Sequence, residues 1–142
     1  MSQHHLCIEQ SFHEEGAAVF ARLSDHDQLQ AVFGVPCRRI RAGDAEPNGV
    51  GSVRRIGFWP LAVEETVVAQ QAGRRIDYRI SRGGGPLRAH RGQIEFHERD
   101  GACQVIWQIW FESPLPGVGG LVAGVLAGGI RRGLRKMADK GR

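Results

Sequence analysis

A chain of 142 residues with 42% hydrophobic side chains suits one domain, spanning residues 1–142, whose core needs neither disulfides nor a metal. Its formal charge of +4 comes from 17 arginines and 2 lysines against 15 acids. The arginines recur as pairs (Arg38-Arg39, Arg54-Arg55, Arg74-Arg75, Arg131-Arg132), and adjacent residues of a strand point to opposite faces, so the pairs read as solvated strand edges and helix ends and not as a nucleic-acid stripe.

The start, Met1-Ser2-Gln3-His4-His5, is polar and lacks the charged and then apolar run of a signal peptide, so a cytoplasmic protein is expected. Three widely spaced cysteines, Cys7, Cys37 and Cys103, form neither a disulfide framework nor a CxxC metal site and read as buried or half-buried free thiols. Alternation over His5 to Ser11 predicts a short first strand. His13-Glu14-Glu15 opens a helix through Leu23, with acids in its first turn as the helix dipole prefers. Ser24 or Asp25 caps a second short helix, Asp27 to Phe33, which stops at Gly34 and Pro36.

From Cys37 onward turn signals recur at Glu46-Pro47-Asn48-Gly49, Trp59-Pro60, Ala72-Gly73, Gly83-Gly84-Gly85-Pro86 and Arg99-Asp100-Gly101. Six strands lie between them: Cys37 to Ala42, Val50 to Phe58, Ala62 to Gln70, Arg75 to Arg82, Leu87 to Glu98 and Ala102 to Glu112, an antiparallel meander. A helix from Leu115 to Lys140 ends the chain. Val122, Leu126, Ile130, Leu134 and Met137 form its apolar stripe, and Gly120, Gly124 and Gly128 leave room for a cavity. Leu115 to Ile130 falls short of the roughly twenty residues a span needs, so no stable membrane insertion is expected. The first half of this helix is small or apolar nearly all round and needs a cover: the loop Ala42 to Asn48, a second subunit in a homodimer, or transiently a membrane.

Taking Trp107 as inward-facing, Cys103, Val105, Ile109 and Phe111 follow it, with Ile76, Tyr78 and Ile80 on the fifth strand and His90, Ile94 and Phe96 on the sixth. These rows either fill an ordinary core or wall a pocket, with Val67, Val122 and Leu126 completing the lining. Tyr78 and His90 are the polar groups on that face. They could orient a ligand or move protons, though an inward histidine is more often a hydrogen-bonded core residue. Gly49 and Gly51 lack the third glycine and following helix of a dinucleotide loop, and His13-Glu14-Glu15 lacks the second histidine of a zinc helix, so neither cofactor nor metal is expected.

The order β, two helices, six β, long α, with Gly49-Val50-Gly51-Ser52-Val53-Arg54, Glu65-Thr66-Val67, Gly73-Arg74-Arg75-Ile76-Asp77-Tyr78, Gly92-Gln93-Ile94-Glu95-Phe96 and Asp100-Gly101 ahead of the Trp107 strand, resembles the START-like superfamily of helix-grip proteins, in its polyketide cyclase/dehydrase and lipid-transport branch. The resemblance implies an α+β fold, a seven-stranded antiparallel sheet wrapped around a long C-terminal helix and a hydrophobic pocket, with two short helices after the first strand. It places Glu65, or else its neighbour Glu64, facing inward, where a cross-strand pair with Arg54 or Arg55 on a partly exposed sheet would contribute modestly, or where Glu65 joins the pocket lining as a carboxylate that orients a ligand. The expected function is binding or carriage of a hydrophobic small molecule, a lipid, polyketide or isoprenoid. The alternative is a metal-free cyclase/aromatase or dehydratase using His90 or Tyr78 in the same pocket.

Overall fold

The computed structural model describes residues 2–58, 62–83, 87–114 and 117–140. Strand β1 (Ser2–Phe12) is followed by α1 (Gly16–Ser24), a 3-10 turn (His26–Leu29) and α2 (Gln30–Phe33). Six strands come next: β2 (Cys37–Arg41), β3 (Val53–Ile56), β4 (Val63–Gln71), β5 (Arg75–Arg82), β6 (Arg88–Arg99) and β7 (Ala102–Ser113). Helix α3 (Val118–Lys140) ends the fold. The strands form one antiparallel sheet in the order β1-β7-β6-β5-β4-β3-β2, the helix-grip architecture expected. The first and last strands are neighbours from Ser2↔Ser113 to Phe12↔Cys103, so the sheet is completed only when β7 arrives.

Several boundaries differ from those expected, each for a local reason. β1 begins earlier because His4 stacks on Phe111 at 5.1 Å and His5 on Trp110 at 5.0 Å, which extends the pairing. Glu14 and Glu15 precede α1 and do not lie in its first turn; Glu14 reaches Arg22 at 2.6 Å instead. The expected second helix divides, with the Asp25 carboxylate accepting from the Asp27 N–H to start a 3-10 turn and Gly34 closing α2 in the left-handed conformation. β3 starts at Val53 and not Val50, because Gly51 has φ +89° and the Asp44 N–H donates to the Val50 carbonyl at 2.9 Å, making a turn of this stretch. Trp59-Pro60, Gly84-Gly85-Pro86 and the expected helix start at Leu115 lie outside the described residues.

The inner face of the sheet carries the core, with Trp107, Val105, Ile94, Ile76, Val67, Ile109, Phe111 and Phe96 all buried. Ile130, Leu134, Met137 and Ala138 bury the second half of α3 against it. The helix packs chiefly along β1 and against α2. Gly119 and Gly133 permit this, since a Cβ at either would overlap the His4 ring or the Val32 carbonyl. At Gly120, Gly124 and Gly128, expected to open room inside, an added Cβ would meet no atom of another element within 4 Å, and the first two are exposed to solvent. The loop expected to cover α3 folds elsewhere: Gly43 N–H donates to Pro47 O and Gln70 Nε2 to Asn48 O, tying it to β4. Leu121 and Val125 are left 70% and 68% exposed. Cys7 is exposed, while Cys37 and Cys103 are buried.

Burial grades along the strands. At the end carrying α1 and α2 the inner face is sealed, with Ile76 and Ile94 almost fully buried and Phe20 edge-on to Phe96 at 5.1 Å. Toward the other end Ile56, Ile80, Leu87 and His90 become half-buried, as do Val122 and Leu126 on the inward side of α3. The antiparallel register brings the connections after β3, β5 and β7 to that same end.

Candidate functional site

Between the sealed core and the half-open end lies a set of buried polar side chains built on β3, β4, β5, β7 and the 3-10 turn. Arg54 and Glu65 are opposite one another in the β3–β4 register, and the alternation turns both inward. Arg54 is 1% exposed and Glu65 5%. The Arg54 Nε–H donates to Glu65 Oε1 at 2.8 Å, and Nη2 lies 2.7 Å from the same oxygen without the alignment of a hydrogen bond. Both expectations for this pair, a partly exposed ion pair and an Arg54-Arg55 pair solvated at the strand edge, are thereby corrected. The outward neighbours pair separately, Arg55 with Glu64 at 3.2 Å, and this pair is the partly exposed one.

The guanidinium is enclosed by ring faces, lying 4.5 Å from the centroid of Tyr78 and 5.9 Å from that of Phe33. Its Nη1 approaches His26 Nδ1 at 3.5 Å, and His26 Nε2 lies 2.7 Å from Ser52 Oγ. Since a guanidinium only donates, Nδ1 accepts and Nε2 carries the proton that reaches Ser52. Burial, reinforced by the charges of Arg54 and Arg39, holds His26 down at about 3, so it is neutral at physiological pH.

Tyr78 joins this network to the sheet core. The Trp107 Nε1–H donates to Tyr78 Oη at 2.7 Å. The Tyr78 ring lies across Gly92 on β6, where any Cβ would overlap it, so glycine is what lets the ring sit flat against the neighbouring strand. Burial, with the Glu65 charge, raises the phenol far above its ordinary range, so the group keeps its proton and has it to donate. The His90 ring centroid is 6.2 Å from that of Tyr78. Burial lowers its pKa, and the buried Nδ1 has no hydrogen-bond partner, which leaves a neutral ring with an unused nitrogen at the border of the half-open region. Burial likewise pushes the Cys37 thiol up to about 11, far from a reactive thiolate.

The expected residues therefore separate. Glu65, Tyr78 and Trp107 meet in the polar set; His90, Ile80, Val122 and Leu126 are half-buried around it; Val67, Ile76, Ile94, Phe96, Val105, Ile109 and Phe111 are packed into the core. His26, Ser52 and Phe33 were not expected at the site, and Arg54 was expected only as one of two possible partners of the glutamate on a partly exposed sheet. The signal for Arg54 was available in the strand itself, because an inward Glu65 requires the residue opposite it to face inward as well. Three concavities described in the structure lie elsewhere. One of about 770 Å³ runs between α2 and the end of α3, lined in part by Val35, Met137 and Lys140; one of about 250 Å³ on the outer sheet face is lined by Arg75, Arg91 and Trp110; one of about 590 Å³ surrounds the β6–β7 turn.

A sequence model of the family described as polyketide cyclase/dehydrase and lipid transport matches residues 10–142. No curated protein sequence matches the chain. Among solved structures, a protein from Thermobifida fusca superposes with a TM-score of 0.78 at 19% identity, over 97% of this chain and 95% of that one. A START superfamily protein from Mycobacterium smegmatis gives 0.75 at 12% identity, over 96% and 98%. Ara h 8.0201 gives 0.70 at 16% identity, over 98% and 99%. At these identities the likeness is one of fold.

Proposed function

The chain belongs to the polyketide cyclase/dehydrase and lipid transport family, and we propose that it binds and carries a hydrophobic small molecule of the lipid, polyketide or isoprenoid class between the first half of α3 and the inner face of the sheet. The observation that supports this most is the graded inner face. Half-buried Ile56, Ile80, Leu87, Val122 and Leu126 converge above a buried polar floor, where Tyr78 has an O–H to donate and His90 an unused nitrogen. Apolar ligand surface taken from water supplies affinity at about 25 cal/mol per Å², and the few polar groups fix orientation.

Palmitate, 2-naphthol and farnesol serve as probes of the three ligand classes. At least one is expected to raise the melting temperature, since a ligand at 100 times its Kd adds about 2.7 kcal/mol to the folded state. Leu126→Trp, which fills the space claimed for the ligand, is expected to abolish that shift while remaining folded. No shift with any probe, or an equal shift in Leu126→Trp, would contradict the proposal.

A second reading is favoured by one feature, the neutral His90 whose Nδ1 is unpartnered and whose ring centroid is 6.2 Å from that of Tyr78. This pair could accept and donate a proton in a cyclisation or dehydration of the same ligand. It requires turnover that His90→Ala removes while binding persists.

A further inference from the structure

We propose that the outer face of α3 docks on an anionic lipid surface, so that ligand exchange occurs through the helix that walls the binding region. Three large apolar side chains are far more exposed than any other described: Leu121 at 70%, Val125 at 68% and Phe58 at 67%, the next being Val50 and Val68 at 43%. Leu121 and Val125 are one turn apart on α3, and Phe58 follows β3 at the same end of the sheet.

The charge on the same line of the helix selects the partner. At about 100° per residue, Arg132 and Arg135 fall within roughly 40° of Leu121, on the line that also holds Val125. Both arginines are exposed and without an acid partner among the described residues, and Asp139 is the only acid on that line. The helix therefore shows solvent an apolar first half and a cationic second half. An interfacial helix on an anionic bilayer has this pattern: aliphatic side chains enter the acyl boundary and arginines meet phosphate and carboxylate headgroups. A second copy of the chain offers these arginines little acid on the same line, where Asp139 stands alone, whereas an anionic lipid surface complements both halves at once. No described helix is long and apolar enough to cross a membrane, so the contact lies on the surface.

The inward side of the same turns carries Val122 and Leu126, which are half-buried. The docked bilayer and the proposed ligand region would then be separated by one glycine-rich helix, in which a Cβ at Gly120 or Gly124 would meet no atom of another element within 4 Å. This route for the ligand rests on the proposed function; the docking itself does not.

Flotation with phosphatidylcholine vesicles, with and without phosphatidylserine, tests it. The wild-type chain is expected to float with the phosphatidylserine vesicles and to be partly released by salt, as screening removes the arginine contribution. L121D/V125D should lower the bound fraction about tenfold or more through the lost apolar insertion, and R132E/R135E should remove the preference for phosphatidylserine. All four positions are exposed, so melting temperature and probe binding in solution should match wild type. Failure to float, or equal flotation of L121D/V125D, overturns the docking. So does a wild-type dimer that L121D/V125D converts to a monomer, which would give the patch to a second copy. If the wild type floats but binds no apolar probe, the ligand proposal falls and the docking stands; if it binds a probe but does not float, the reverse holds.

Discussion

Glu65→Leu is expected to destabilise the fold by about 3–5 kcal/mol, because it leaves the Arg54 guanidinium charged, buried and without its carboxylate. Arg54 is fully enclosed by Tyr78, Phe33 and His26, so it cannot turn to solvent for a new partner. Replacing both partners, as in R54M/E65L, removes the unpaired charge together with the pair. It should recover more than half of the loss, since a buried ion pair is often no more stabilising than well-packed apolar residues of similar volume. The neighbouring pair supplies the contrast within the same two strands. Arg55 and Glu64 are 42% and 18% exposed in their side chains, and Glu64→Leu should cost no more than about 1 kcal/mol. Urea unfolding of the three variants measures the difference. A loss below about 1 kcal/mol for Glu65→Leu would mean that water or a relaxed loop reaches the guanidinium and that the polar floor is not closed.

Acidification should destabilise the protein well before carboxylates titrate. An unfolded histidine has a pKa near 6.5 and native His26 about 3, so between these values the unfolded chain binds a proton that the native state refuses. The stability that His26 confers by staying neutral is complete above about pH 6.5 and declines as pH falls toward about 3, at roughly 1.4 kcal/mol per pH unit. From pH 6.5 to 5 that is a loss of about 2 kcal/mol, and the lowered pKa of His90 acts in the same direction. Burial is the main cause, the charges of Arg54 and Arg39 add to it, and Asp27 opposes them. His26→Gln keeps a hydrogen-bonding side chain without the titration. Its unfolding free energy should therefore be flatter than wild type between pH 7 and 5, and parallel curves would show that His26 is not the group responsible.

The architecture was legible because strand alternation and turn residues carry it directly. The rows headed by Trp107, Tyr78 and Ile94 face inward as their period requires, and their lengths fix seven strands and a closing helix. What the period could not provide was any distance between elements. The pattern left Arg54 and Arg55 as alternative partners of an inward glutamate until the register set Arg54 against Glu65, and His26, which carries the contact on to Ser52, reaches Arg54 from 28 residues away, a spacing that no local pattern links. The glycines of α3 show the same limit. Gly119 and Gly133 are where backbones meet, and Gly120 and Gly124 face solvent, a distinction set by how the helix is rolled against β1 and α2. The exposed Leu121 and Val125 follow from the loop at 42–48 folding onto β4, a choice made by backbone hydrogen bonds and not by hydrophobic pattern.

Native mass spectrometry of the protein as purified, followed by addition of the probe that most raises its melting temperature, tests carriage of an apolar molecule most directly. One small molecule per chain, whether carried through purification or taken up from the added probe, and lost in Leu126→Trp, is the result the proposed site requires. A wild-type chain that stays at its bare mass with every probe, or a Leu126→Trp chain that binds as well as wild type, would place ligand binding outside the space between α3 and the sheet.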